Sequence, residues 1–168
     1  DIMLDLALRQ GEIEALREWL GRFPTRDLRK HPIICLCYAW TMYFSQQADK
    51  AERLLGYLSD APAPSNAYPD RGWPQLVRAI GAATHDELQL SEQLCHDWIR
   101  NFGDYNSVGK GAALTCLAFI LASEYRFAEL KQVLLMAHSV NSAARQRYAF
   151  GWLYAAEIQA TLARGDMR

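Results

Sequence analysis

The residues best placed to do chemistry lie between Gly103 and Gly111, where Gly103, Gly109, Lys110 and Gly111 suggest a phosphate loop. Such a loop needs four residues between its first glycine and the Gly-Lys pair, a Ser or Thr after the Lys to reach magnesium, and a preceding strand. Here five residues separate Gly103 from Gly109, Gly111 follows the Lys, and no strand pattern precedes. The segment is expected to be a joint between helices, with Ser107 or Asp104 as the cap. Cys35 and Cys37 do not make a zinc half-site, because residues two apart on a helix point in different directions. No second pair completes such a site, and buried small hydrophobes are the expectation. Cys95 and His96, with His85 and Asp86 upstream, miss the three- or four-residue spacing that puts metal ligands on one helical face. His31 is expected at a helix start, and His138 near a helix end, where a cation suits the dipole. Asp86 and Glu87 read as a helix start for the same electrostatic reason. No Ser, His and Asp set can be argued as catalytic. The expectation is no enzyme activity, no catalytic residues and no metal site.

These residues must be held by helices. The 168 residues contain 24 Ala and 22 Leu but only 17 Val, Ile and Thr together. Ala and Leu cost least in a helix, while β-branched residues favour strands. Hydrophobic residues make up 51% and charged residues 22%, which excludes disorder as the main state. The net charge of −1 shows none of the basic excess of a nucleic-acid-binding domain. The longest uncharged run, Pro32 to Ala48, is too short and too polar to span a bilayer. No signal peptide opens the chain, and four scattered Cys make no disulfide framework, so a cytoplasmic protein without membrane contact is expected.

Apolar spacing predicts nine helices. They cover Ile2 to Leu8, Ile13 to Leu20, Pro32 to Gln46, Ala48 to Ser59, Trp73 to Ala83, Asp86 to Asn101, Ser107 to Ser123, Arg126 to Val140 and Asn141 to Ala163. Pro32 at the first helical position is a start signal. A long Pro-rich loop covers residues 60–72. The polar turns at Gly11, Gln47 and Glu124 are each followed four residues later by Ala15, Ala51 and Ala128. Their spacings of 36 and 77, with further joints at Thr84 to Glu87 and Arg164 to Met167, give a period of 36 to 41. Two helices per such unit mark an all-α solenoid, an α-α superhelix of antiparallel helices in a single domain over 1–168. Ala51 and Ala128 are expected at close helix contacts. Both ends fall inside a unit, so a piece of a longer array is expected.

The order of residues then resembles a family. Trp19 and Leu20, Phe23 and Pro24, Arg29 with Pro32, and Ala39 with Trp40 follow one another as in the helical-repeat region of MalT-like regulators, the large ATP-dependent LuxR-family activators. Tyr148 to Ala163 followed by Arg164, Gly165 and Asp166 resembles a later unit of that region. Residues 16–51 carry the resemblance best and 60–106 least. Phe23 stands where the family commonly has Leu. The resemblance implies a tetratricopeptide-like sensor region that receives an inducer or a regulatory protein and controls self-assembly and transcription activation. It also implies ATP only in an N-terminal module outside this chain, and DNA only through a C-terminal helix-turn-helix outside it. The alternative is a generic tetratricopeptide scaffold for assembly or chaperone work.

Solenoids bind on the concave face, lined by the first helix of each pair. Counting back from the turns puts Cys37, Thr41, Ser45, Gln75, Leu114, Trp152 and Gln159 there. Arg78, Lys110 and Arg147 are candidates for its rim. This mixture suits a small neutral effector or an apolar partner segment rather than a charged peptide tail.

Overall fold

A computed structural model describes residues 13–28, 30–59 and 72–165. The described residues form nine helices and no strand: α1 (Ile13–Leu20), α2 (Thr25–Leu28), α3 (Pro32–Phe44), α4 (Ala48–Ser59), α5 (Trp73–Thr84), α6 (Leu88–Phe102), α7 (Ser107–Ser123), α8 (Phe127–Ala143) and α9 (Arg147–Arg164). The all-α superhelix expected from the composition and the spacing of the turns is the fold. The expected helix over Ile2 to Leu8 and almost all of the Pro-rich loop lie outside the described residues. The short α2 has no counterpart among the expected helices, because one turn is too short to show a period. It is held by the Asp27 and Leu28 amides, which both donate to the Pro24 carbonyl.

Helices pair as α3 with α4, α5 with α6 and α7 with α8, and the first helices stack in the order α3, α5, α7, α9. Helices in the middle of such a stack have neighbours on several sides, which explains their sequences. α3 carries no charged residue and buries Cys35, Leu36, Tyr38, Ala39, Thr41, Met42 and Tyr43. α7 carries one, Lys110, and is buried from Ala113 to Ala118 without a break. The long uncharged run is thus an interior helix. Among the described residues no helix is long and apolar enough to cross a membrane.

The turn inside each pair has one design. Gln46, Asp86 and Tyr125 all have positive φ, near +60°, and Gly165 has φ +73°. The next amide bonds back five residues: Gln47 to Met42, Glu87 to Ala82, Arg126 to Leu121. This is the Schellman stop of a helix, in which a left-handed residue turns the chain so that orphan carbonyls are satisfied. The left-handed residues are 40, 39 and 40 apart, which sharpens the period read from the turns. The same stop, at Arg145, also separates α8 from α9. The expected last helix starting at Asn141 is therefore corrected. Asn141 belongs to the last turn of α8, and α9 begins at Arg147. A break is expected after Val140, but nothing in Asn141 to Arg145 marks by composition where the turn itself falls.

The sharper period also corrects one alanine. Ala51 is fully buried, but Ala128 is not in the core. Aligned on the left-handed residues, Ala51 corresponds to Ser91 and Leu130, which are buried. Matching Glu124 to Gln47 sets the register two positions early. The cap of α7 is also corrected: the Asn106 side chain, not Ser107 or Asp104, accepts the Gly109 amide at 2.8 Å.

The core is a chain of clusters along the stack. Leu16, Leu20, Met42 and Leu55 fill the first, Leu76, Cys95, Trp98 and Ile120 the second, and Leu114, Leu121, Leu130 and Leu153 the third. Burying each such leucine contributes about 1.5–3 kcal/mol. Trp98 joins two levels of the stack. Its indole N–H donates to the Gly72 carbonyl at 2.8 Å, and its ring lies where a Cβ on Gly109 would stand.

Candidate functional site

A cavity of about 410 Å3 opens where the four stacked first helices face one another. α3 contributes Leu36, Cys37, Trp40 and Phe44. α5 contributes Trp73, Leu76, Val77, Ile80, Ala83 and Thr84. α7 contributes Val108, Ala112, Thr115, Cys116 and Phe119, and α9 contributes Tyr148, Ala149 and Trp152. The turn at Ala144, Arg145 and Gln146 closes one side. The lining therefore comes from the first helix of each pair, as a solenoid's inner face does.

The stack curves far enough for its two ends to touch here. Trp40 meets Tyr148 edge to face at 5.9 Å between ring centres, and Phe44 meets Trp152 at 6.1 Å. Phe119 stands edge-on to Trp152 at 6.2 Å. Five rings from α3, α7 and α9 thus form one aromatic wall. Such contacts are worth about 0.5–1.5 kcal/mol each beyond their buried area.

Three polar side chains of the lining, Thr84, Thr115 and Gln146, are hydrogen-bonded inside the protein. Thr84 Oγ1 donates to the Gly81 carbonyl at 2.8 Å, and Thr115 Oγ1 donates to the Gly111 carbonyl at 2.8 Å. Asn141 Nδ2 donates to Thr115 Oγ1 at 3.1 Å, and Gln146 Nε2 donates to the Val108 carbonyl at 2.8 Å. Arg145 is the one residue of the Lys, Arg, Asp or Glu type in the lining. Burial pushes the Cys37 thiol up to about 12 and raises the Tyr148 phenol as well. Removing water from around them favours the neutral forms. Arg145 at the turn apart, the surface offered to a ligand is apolar and aromatic.

Two of the seven sequence candidates, Cys37 and Trp152, line the cavity. The other five lie outside the lining. Thr41 is fully buried and donates to the Tyr38 carbonyl at 2.9 Å, and Ser45 donates to the Thr41 carbonyl at 2.9 Å. Gln75 reaches the Leu94 carbonyl at 3.4 Å on α6. Leu114 packs in the third core cluster, and Gln159 is half-buried further along α9. Of the expected rim, Arg78 is paired with Glu52 at 3.0 Å, Lys110 is half-buried and Arg147 is exposed. Sequence reasoning missed Trp40, Ile80 and Phe119. Each stands six residues before the left-handed residue of its turn, so the turns hold the signal that finds them.

Other groups do less. Among the described residues no three His, Cys, Asp or Glu side chains gather as metal ligands. Arg126 ties Glu92, Glu124 and Glu129 together at 2.7 to 3.0 Å, a brace between α6 and the start of α8. His138 bonds Glu157 at 2.8 Å and stacks on Phe150, a brace between α8 and α9.

Fold and cavity together define a helical-repeat protein with an apolar chamber on its inner face. The chain is 60% identical over 166 residues to a protein of Pseudomonas putida named HTH-type transcriptional regulator AlkS. Proteins of the same name from Ectopseudomonas oleovorans and Alcanivorax borkumensis are 56% and 46% identical over 166 and 167 residues. Each match covers 99% of this chain, and the chain spans 19% of the length of these relatives. No family model matches the chain, and no solved structure matches it significantly.

Proposed function

We propose that this chain is the effector-sensing helical array of an HTH-type transcription regulator of the MalT-like kind. In this reading it binds without catalysis, and the cavity between α3, α5, α7 and α9 takes a small, uncharged, mainly apolar molecule. The cavity carries the reading. Its volume falls in the range of small-molecule sites, about 300–1,000 Å3. Thr84, Thr115 and Gln146 already have hydrogen-bond partners inside the protein, so a polar ligand would lose hydration with little replacement. The three relatives with transcription-regulator names support the regulatory role. DNA binding and ATP binding belong, in this proposal, to other parts of a longer protein. Occupancy of the cavity would be relayed to them and to self-assembly through the curvature of the array.

Titration with a panel of apolar, polar and charged small molecules, followed by tryptophan emission, tests this. Trp40 and Trp152 line the cavity and report on it directly. Saturable changes with apolar members only are expected, and they should vanish in Ala112→Phe, which fills the cavity from α7. Binding that Ala112→Phe leaves untouched, or that prefers charged members, would reject the proposal.

A further inference from the structure

On α9, Gly151, Tyr154, Ala155, Ile158 and Leu162 are all exposed, the three large side chains at 55–59%. They form one stripe at helical spacing. Aligned on the left-handed residues Tyr125 and Gly165, they correspond to Gly111, Leu114, Thr115, Ala118 and Ala122 of α7, every one buried. That α7 face is covered by the second helix of its pair, α8, whose Asn141 reaches Thr115 and Gly111. The matching positions of α3 include Cys35, Ala39 and Tyr43, buried as well.

A second observation is independent of exposure. Gly72, Gly111 and Gly151 stand fourteen residues before successive left-handed turn residues. A Cβ on Gly72 would strike Trp98 and Phe102, and one on Gly111 would strike Asn141, in each case on the second helix of that pair, with Gln146 in the following turn also in the way of the latter. A Cβ on Gly151 would meet nothing within 4 Å. Glycine at this position makes room for an approaching helix, and here the room is empty. α9 also ends as the first helices of complete pairs do, with a left-handed residue 40 positions after the previous one.

We propose that this α9 face seats a further helix of the same polypeptide, the second helix of a fourth pair. The chain spans 19% of the length of the relatives it matches, so they are much longer polypeptides. A second copy of the same chain is the competing occupant.

The test compares the 168-residue chain with one continued through its natural following sequence for about another thirty residues. Gly151→Ala is expected to raise the melting temperature of the shorter chain and lower that of the longer one, a reversal of sign. Ile158→Asp should leave the shorter chain nearly unchanged and strip hydrogen-exchange protection from residues 147–164 in the longer one. The same sign for Gly151→Ala in both chains, or equal exchange of α9 in both, would overturn the proposal. So would a dimer of the shorter chain that Ile158→Asp dissociates, since the occupant would then be a second copy.

Discussion

Trp40 on α3 and Tyr148 on α9 meet edge to face with ring centres 5.9 Å apart, although the backbones of α3 and α9 do not touch. Apart from the neighbouring Phe44–Trp152 contact, these two helices are linked through α5 and α7. A double-mutant cycle with Trp40→Leu and Tyr148→Leu should show a coupling of about 0.5–1.5 kcal/mol in urea unfolding. Additive effects of the two substitutions would mean that the rings do not support each other.

Gly111 is expected to tolerate no side chain. Its Cβ would overlap Asn141 Oδ1, and Asn141 is fixed by Thr115 and fully buried. Gly111→Ala should destabilise by about 1–3 kcal/mol, the usual cost of overpacking. Gly56 has nothing within 4 Å of a Cβ and sits inside α4, so Gly56→Ala should stabilise by about 0.5–1 kcal/mol. Chemical denaturation midpoints of the two variants should move in opposite directions.

Tyr125 is 65% exposed and holds φ +60°, a conformation that costs a non-glycine residue about 1–2 kcal/mol. Tyr125→Gly should therefore raise stability by about 1 kcal/mol, less the edge contact with Phe127. Tyr125→Asn should fall between the two. A stability ranking with glycine lowest would contradict the Schellman assignment of this turn.

Two of the thiols, Cys35 and Cys37, make stability fall in alkali. Cys35 and Cys37 are pushed up to about 11 and about 12 by burial, against 9.0 for an ordinary thiol. The folded state thus favours the neutral form. Its contribution is fully present below about pH 9 and is lost as pH rises through 9 toward 11–12. Tyr43, raised by burial and by its bond to the Glu52 carboxylate, acts in the same direction. Denaturation midpoints at about pH 8, 9 and 10 should decline, and the Cys35→Ala, Cys37→Ala pair should decline less steeply. Parallel slopes would show that these thiols carry none of the dependence.

The helices were legible because their cause is local. Apolar spacing and Pro32 placed α3, and Ser107 to Ser123 was read with the bounds that α7 has. The turns were legible only as polar joints. Which residue turns left-handed is decided by the fit of two helices, and Gln46, Asp86, Tyr125 and Arg145 share no side-chain type. An offset of two at Glu124 was enough to misplace Ala128. The inner face was found at the level of helices and missed at most residues for the same reason. Gln159 has the offset of Trp40, Ile80 and Phe119 from its turn, yet lies outside the cavity. The superhelix carries that end of α9 away, and such a twist accumulates over the whole array rather than in any local window.

The Trp40–Tyr148 contact also changes how the molecule should come apart. A linear array of repeats frays from its ends, since each repeat is held only by its neighbours. Here rings on α3 and α9 close that line into a loop. Loss of α9 removes partners from α3 as well as from α7 and α8. The stack is therefore expected to melt with the sharpness of a globular domain, its first and last levels letting go together.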